Sequence, residues 1–219
     1  MSGTGIEDTL ASAIWPRRAA VDAAAESRES GSHFVRDTAL CVAAVALLTL
    51  SAKISVPFLP VPMTLQTFAV LSLGAAYGVR LSVISIIVYL ACGVGGLPVF
   101  ANTPPLIAGP AYLFGPTGGF LIGFIPAAAL MGLIAEAKLD RSFFAALPCA
   151  LIADTLIFLC GFLWLAFAAR IGANGQGLGM AAAWSKGVEP FLLGDFVKAA
   201  LTAAVFPAIW SLIGTREPS

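Results

Sequence analysis

Apolar residues in this chain run in long blocks, at about 38–54, 64–79, 81–95, 116–136, 143–169 and 190–213. A helix needs about 20 apolar residues to cross a hydrocarbon core about 30 Å thick. The six blocks therefore predict an all-α membrane protein built as a bundle of six transmembrane helices. The breaks between them have chemical causes. Pro57, Pro60 and Pro62 in SVPFLPVPMTLQT rule out a continuous helix from the first block to the second. Arg80 closes the second block, and Gly95 with Gly96 closes the third. A charged turn (Glu136, Lys138, Asp140, Arg141) follows the fourth, and a loop at 171–189 containing the Gly-rich piece GANGQGLG follows the fifth. Residues 96–115 are rich in Pro and Gly yet carry no charge, which predicts a loop folded back into protein. Residues 1–36 read as a polar, partly disordered N-terminal tail with no signal-peptide pattern, and 8–25 as a weakly amphipathic surface helix. The spanning domain is expected over 37–214, with a short tail at 215–219.

Composition agrees with this division. The chain of 219 residues is 59% hydrophobic and 11% charged, against about 25% charged in an ordinary soluble domain. Its formal net charge of +0 leaves no basic stripe to neutralise phosphates, so a nucleic-acid role is not expected. Cys41, Cys92, Cys149 and Cys160 stand singly in apolar runs and form no C-x-x-C, so they read as small packing residues. The single histidine, His33, lies outside the blocks, which removes histidine-assisted nucleophilic catalysis and a histidine metal site from the membrane. No G-x-x-x-x-G-K-[ST] occurs, and the Gly-rich piece at 172–179 lacks the strand and Lys of a phosphate cradle. The expectation is a protein that is not an enzyme and that carries no cofactor and no metal.

Orientation follows from the cations. With six crossings, Arg17, Arg18, Arg28, Arg36, Arg80, Lys138, Arg141 and Arg216 fall on one side, and Lys53, Arg170 and Lys186 on the other. The first side is then cytoplasmic, and both termini lie there. The sixth helix enters from outside, so its first half lies near the external face, as do the proline loop and the uncharged loop.

That sixth block carries the most informative chemistry. Within EPFLLGDFVKAALTAAVF, Pro190 suits a first helical position. Asp195 and Lys198, three residues apart, share one face. Each charge costs about 2.5–3.5 kcal/mol near mid-membrane. Either the two satisfy one another, or they face a polar cavity and hold a ligand; intramembrane ionisable groups favour the second. Thr64, Gln66 and Thr67 follow the prolines and offer neutral donors and acceptors, although one of them could act as a cap. In GPTGGFLIG, glycines 115, 119 and 123 repeat small-x-x-x-small and suit close helix packing. The same stretch, through Pro116, Thr117 and Gly118, gives a helix N-terminus suited to a carboxylate. Asn102 and Tyr112 add hydrogen-bonding side chains to the external loop. Asp154, beside Thr155 in the fifth block, has no evident cation and reads as a further site residue, a packing residue or a proton carrier. Ala39 and Ala43 form an A-x-x-x-A face suited to another membrane helix.

Taken together, VPFLPVPMTLQTF (56–68), GLPVF (96–100), GPTGGFLIGF (115–124) and PFLLGDFVKAAL (190–201) resemble the BioY family, the biotin-binding S-components of energy-coupling-factor (ECF) transporters. The resemblance spans about 38–213. It implies a six-helix subunit in the cytoplasmic membrane that captures biotin from outside with high affinity. It also implies partners: one transmembrane coupling protein, expected to meet Ala39 and Ala43, and two ABC-type ATPases. The family's G-D-x-x-K falls on Gly194, Asp195 and Lys198 and implies a biotin site there. Biotin's chemistry suits these residues. Its ureido ring has two N–H donors and one carbonyl; Asp195 can accept from an N–H, Gln66 or Asn102 can do either, and Lys198 can donate to the carbonyl or to the valerate carboxylate. An S-component or facilitator for another small vitamin or acid is the alternative. A membrane protease would need a membrane histidine, and a prenyltransferase would need clustered aspartates; neither is present. A purely structural scaffold would have no use for Asp195 and Lys198.

Overall fold

The computed structural model describes residues 9–15, 23–171 and 175–214. Its helices are α1 (Leu10–Ile14), α2 (Ala23–Lys53), α3 (Gln66–Val94), α4 (Pro110–Leu113), α5 (Gly118–Glu136), α6 (Phe143–Phe167), α7 (Met180–Gly187) and α8 (Leu192–Gly214). A two-residue ladder between β1 (Ser55–Val56) and β2 (Met63–Thr64) closes the proline loop, with Ser55 opposite Thr64. Among the described residues, five helical stretches are long and apolar enough to cross a membrane. Large apolar side chains cover the outside of the bundle, among them Phe144 (86% exposed) and Leu193 (77%). Lipid, rather than water, suits such a surface.

By length α3 counts as one span, yet it cannot be straight. Gly78 has φ 74 and ψ 178, outside the helical region. The Gln66 amide donates to the Tyr89 hydroxyl at 2.8 Å. In a continuous helix those residues would lie about 35 Å apart, at 1.5 Å per residue. The helix therefore folds back at Gly78 into two arms, 66–77 and 79–94, which match the second and third apolar blocks. A residue without Cβ suits this reversal, since φ near +74 is strained for other L-residues.

Helix α5 is the axis of the bundle, packed on α3 and on α6. Its small residues permit the approach. A Cβ on Gly119 would sit 2.1 Å from Trp164 Cβ, and one on Gly123 2.9 Å from Ile157 Cα, so both glycines serve the α5–α6 contact. Gly115 does not, since a Cβ there meets just the Tyr112 carbonyl, at 3.1 Å. On the α3 side, Gly132 lies against Val79 and Gly74 against Ala128. Leu48, Leu71, Ile86, Tyr89, Met131 and Ile157 fill the resulting core.

The two ends of the bundle differ. At one end the charged turn meets the α3 reversal: Glu136 Oε1 accepts from the Val79 N–H at 2.9 Å, and Trp210 Nε1 donates to Asp140 at 2.6 Å. Where the sequence suggests a tail, part of the chain is ordered. Helix α2 begins at Ala23, and Arg36 is buried because its guanidinium donates to the Trp15 and Ala11 carbonyls at the end of α1. Leu10 and Ala11 are buried, so α1 is docked rather than free on the surface. Residues 1–8, 16–22 and 215–219 lie outside the described residues, and with them Arg17, Arg18 and Arg216. At the opposite end gather the proline hairpin, the uncharged loop and the first turns of α8. The Lys53 ammonium donates to the carbonyls of Phe100 and Thr103 and pins that loop. Within 171–189, read as loop from the sequence, α7 forms and buries Ala183; residues 172–174 lie outside the described residues.

Candidate functional site

A cavity opens at the loop end of the bundle, with an empty volume of about 520 Å³ that includes its open mouth. Six parts of the chain build it. The proline hairpin brings Val61, Pro62 and Thr64; α3 brings Gln66 and Thr67; the uncharged loop and α4 bring Ala101 and Tyr112. Thr117, Phe120, Leu121 and Phe124 line it from α5 and its cap, and Ile157 and Phe158 from α6. Phe191, Asp195 and Lys198 complete the wall from α8 and the turn before it.

Local structure fixes each polar group. Asp195 is 3% exposed, and its Oδ1 accepts from the Thr67 hydroxyl at 2.6 Å and from the Lys198 ammonium at 2.8 Å. Lys198 also donates to the Thr64 carbonyl at 2.8 Å and to Thr67 Oγ1 at 3.2 Å, so each of its three N–H groups can have an acceptor. The β1–β2 ladder turns that Thr64 carbonyl toward α8. Among the described residues no hydrogen bond reaches Asp195 Oδ2. The pair is thus neutral overall and solvated by two threonines, with one acceptor atom to spare beside a hollow. Tyr112 donates to the Ala101 carbonyl at 2.6 Å and stacks on Phe100 at 4.7 Å. Burial pushes the Tyr112 phenol above its ordinary value of 10.0, against the opposing hydrogen bond with Thr117, so it stays protonated at neutral pH.

Thr64, Gln66, Tyr112, Thr117, Asp195 and Lys198, all expected from the sequence, are brought together here. Two other residues are placed elsewhere. Asn102, with φ 56, is exposed and lines an adjoining depression with Pro62, Tyr112 and Thr117. Gly118 packs: a Cβ there would lie 1.7 Å from the Leu113 carbonyl oxygen. Asp154 shares a neighbouring groove with Asp195; it is 6% exposed, and its Oδ1 has no partner among the described residues. Thr155 donates to the Leu151 carbonyl within its own helix. Ala39 and Ala43 are both exposed on α2. The aromatic lining (Phe120, Phe124, Phe158, Phe191) is what single-residue reasoning passed over, because an apolar residue in an apolar block carries no signal of its own. The glycine spacing carries the available signal, since Gly119 and Gly123 fix which face of α5 meets α6.

The sequence profile of the BioY family matches residues 20–215. This chain belongs to the BioY family. A probable biotin transporter BioY of Pyrococcus horikoshii is 35% identical over 170 residues, covering 78% of this chain and 93% of the relative. The biotin transporter BioY of Thermotoga maritima is 35% identical over 160 residues, covering 73% and 87%. Both relatives are named as biotin transporters, the first as a probable one. Among solved structures, the S-component for biotin from an ECF-type ABC transporter superposes with a TM-score of 0.67 at 24% identity, covering 82% of this chain and 93% of that one. This family member therefore has the S-component fold and is a multi-pass membrane protein.

Proposed function

We propose that this chain captures biotin from the external side of the cytoplasmic membrane and is the substrate-binding subunit of an ECF-type uptake system. The observation that carries the reading is the Asp195–Lys198 pair, held by Thr67 and Thr64 at the edge of a cavity whose other walls are aromatic and aliphatic. A pair that served itself alone would need no hollow. The cavity offers carboxylate and amide oxygens for the ureido N–H groups and an ammonium for a carbonyl or carboxylate. Its phenylalanines suit the bicycle and chain. Relatives named as biotin transporters support the same ligand.

The fold-back at Gly78 supports six crossings: α2, the two arms of α3, α5, α6 and α8. Both termini then lie in the cytoplasm, on the side of Arg80, Lys138 and Arg141, and the cavity opens outward. The exposed Ala39 and Ala43 provide a smooth strip for a transmembrane coupling protein, itself driven by two ABC-type ATPases.

Isothermal titration of the purified protein with biotin and with thiamine, side by side, tests the ligand. Biotin is expected to bind in the nanomolar to micromolar range, roughly 8–12 kcal/mol. Negligible heat with both, or a preference for thiamine, would overturn it.

A further inference from the structure

Two hydrogen bonds behind the cavity wall decide which way round an amide stands. The Tyr89 hydroxyl lies 3.1 Å from the Val99 carbonyl and 2.8 Å from the Gln66 amide. A phenol has one proton, and a backbone carbonyl can only accept. The Val99 carbonyl therefore takes that proton, and the phenol oxygen is left to accept from Gln66. The group it meets must be the amide NH₂. Gln66 Oε1 is then turned toward Thr64, whose hydroxyl accepts from the Gln66 backbone N–H at 3.2 Å and donates to Oε1 at 3.3 Å. Gln66 and Thr64 both line the cavity, whereas Tyr89 is wholly buried behind it, edge-on to Phe100. Reversing the amide would set Tyr89's one proton between two acceptors and leave one of them unsatisfied in the interior.

We infer that Tyr89 is a specificity-determining positioning residue that holds the Gln66 amide with its carbonyl oxygen on the cavity side, so that this wall accepts an N–H donor and repels an acceptor. The inference deepens the biotin reading and rests on it for the ligand. It adds a source of discrimination that lies outside the cavity lining. Without the Tyr89 lock the amide can turn over and greet either kind of group.

The test compares biotin with its two carbamate analogues, in each of which one ureido N–H is replaced by oxygen. Binding is measured on wild type, Tyr89→Phe, Gln66→Met and the double variant, with melting temperature recorded for each. Wild type is expected to prefer biotin strongly over at least one carbamate. Tyr89→Phe should reduce that preference by about tenfold, as for one buried hydrogen bond. Gln66→Met should reduce it similarly, and the double variant no further. A folded Tyr89→Phe variant with wild-type selectivity, or losses that simply add in the double variant, would overturn the inference. Should Tyr89→Phe not fold, unchanged selectivity in Gln66→Met would overturn it instead. A ligand-free measurement separates this from failure of the biotin reading: in the NMR spectrum of the apo protein, the Gln66 NH₂ protons should show cross-relaxation to the Tyr89 ring. Cross-relaxation to Thr64 in its place would refute the lock whatever the ligand proves to be.

Discussion

Removing Lys198 separates a pair that binds a ligand from a pair that merely neutralises itself. In Lys198→Met the three donations to Asp195, Thr64 and Thr67 are lost together. Asp195, 3% exposed, keeps the Thr67 hydroxyl as its only donor among the described residues. Leaving one member of a buried ion pair unpartnered costs about 3–5 kcal/mol, so the variant should melt well below wild type. Biotin should bind about 10- to 100-fold more weakly, the loss of one charge-assisted contact at about 1.5–3 kcal/mol. Asp195→Asn should weaken binding comparably. The double variant is the decisive one. With neither charge of the pair left, replacing both partners is close to neutral for stability, and the melting temperature should return toward wild type. Binding should not return, because the groups that meet biotin are gone. Titration calorimetry and thermal melts in the same detergent read both quantities. If the double variant binds biotin as wild type does, the charges serve only each other and the reasoning fails.

Other consequences follow from the packing and the outer loop. Gly119→Ala places a Cβ 2.1 Å from Trp164 Cβ and should destabilise by about 1–3 kcal/mol, seen as a lower melting temperature; Gly115→Ala, with its nearest contact at 3.1 Å, should be milder. Gly78→Ala combines φ 74 with a contact of 2.8 Å to Glu136 Oε1; its melting temperature should fall while biotin affinity, set at the other end of the bundle, stays unchanged. Burial pushes the Asp140 carboxyl above its ordinary value of 3.8, against the opposing Trp210 hydrogen bond and Arg141 charge. The folded state therefore favours its protonated form, and this contribution, full below pH 3.8, is lost as pH rises through the folded-state value. Asp140→Asn should flatten the acid-side dependence of melting temperature; identical profiles would contradict this. Lys53→Met removes the ammonium that ties the carbonyls of Phe100 and Thr103 to α2 and should speed amide hydrogen exchange in 97–103.

The elements most legible in the sequence were those with a single dominant cause. Unbroken apolar blocks mark the helices, and Arg80, which closes the second block, lies two residues past the reversal at Gly78 that length alone would hide. Asp195 and Lys198 stood out because charge in an apolar block is expensive. Three features resisted because their causes lie elsewhere in the chain. Residues 23–36 looked like tail, since nothing local says that Arg36 will satisfy the carbonyls of α1. Asn102 had suitable chemistry, but a left-handed backbone in its loop turns it into the neighbouring depression. Tyr89 carries no signal of its own within an apolar block; its partners Gln66 and Val99 meet it only once α3 folds back and the outer loop closes over it.

Whether biotin occupies the hollow beside the Asp195–Lys198 pair is decided by a structure of the protein determined with biotin. Ligand density is expected between the Phe120–Phe124 face of α5 and α8, with ureido or carboxylate atoms within hydrogen-bond distance of Asp195 and Lys198. Biotin bound elsewhere, with that pair unchanged and the hollow filled by side chains, would contradict it.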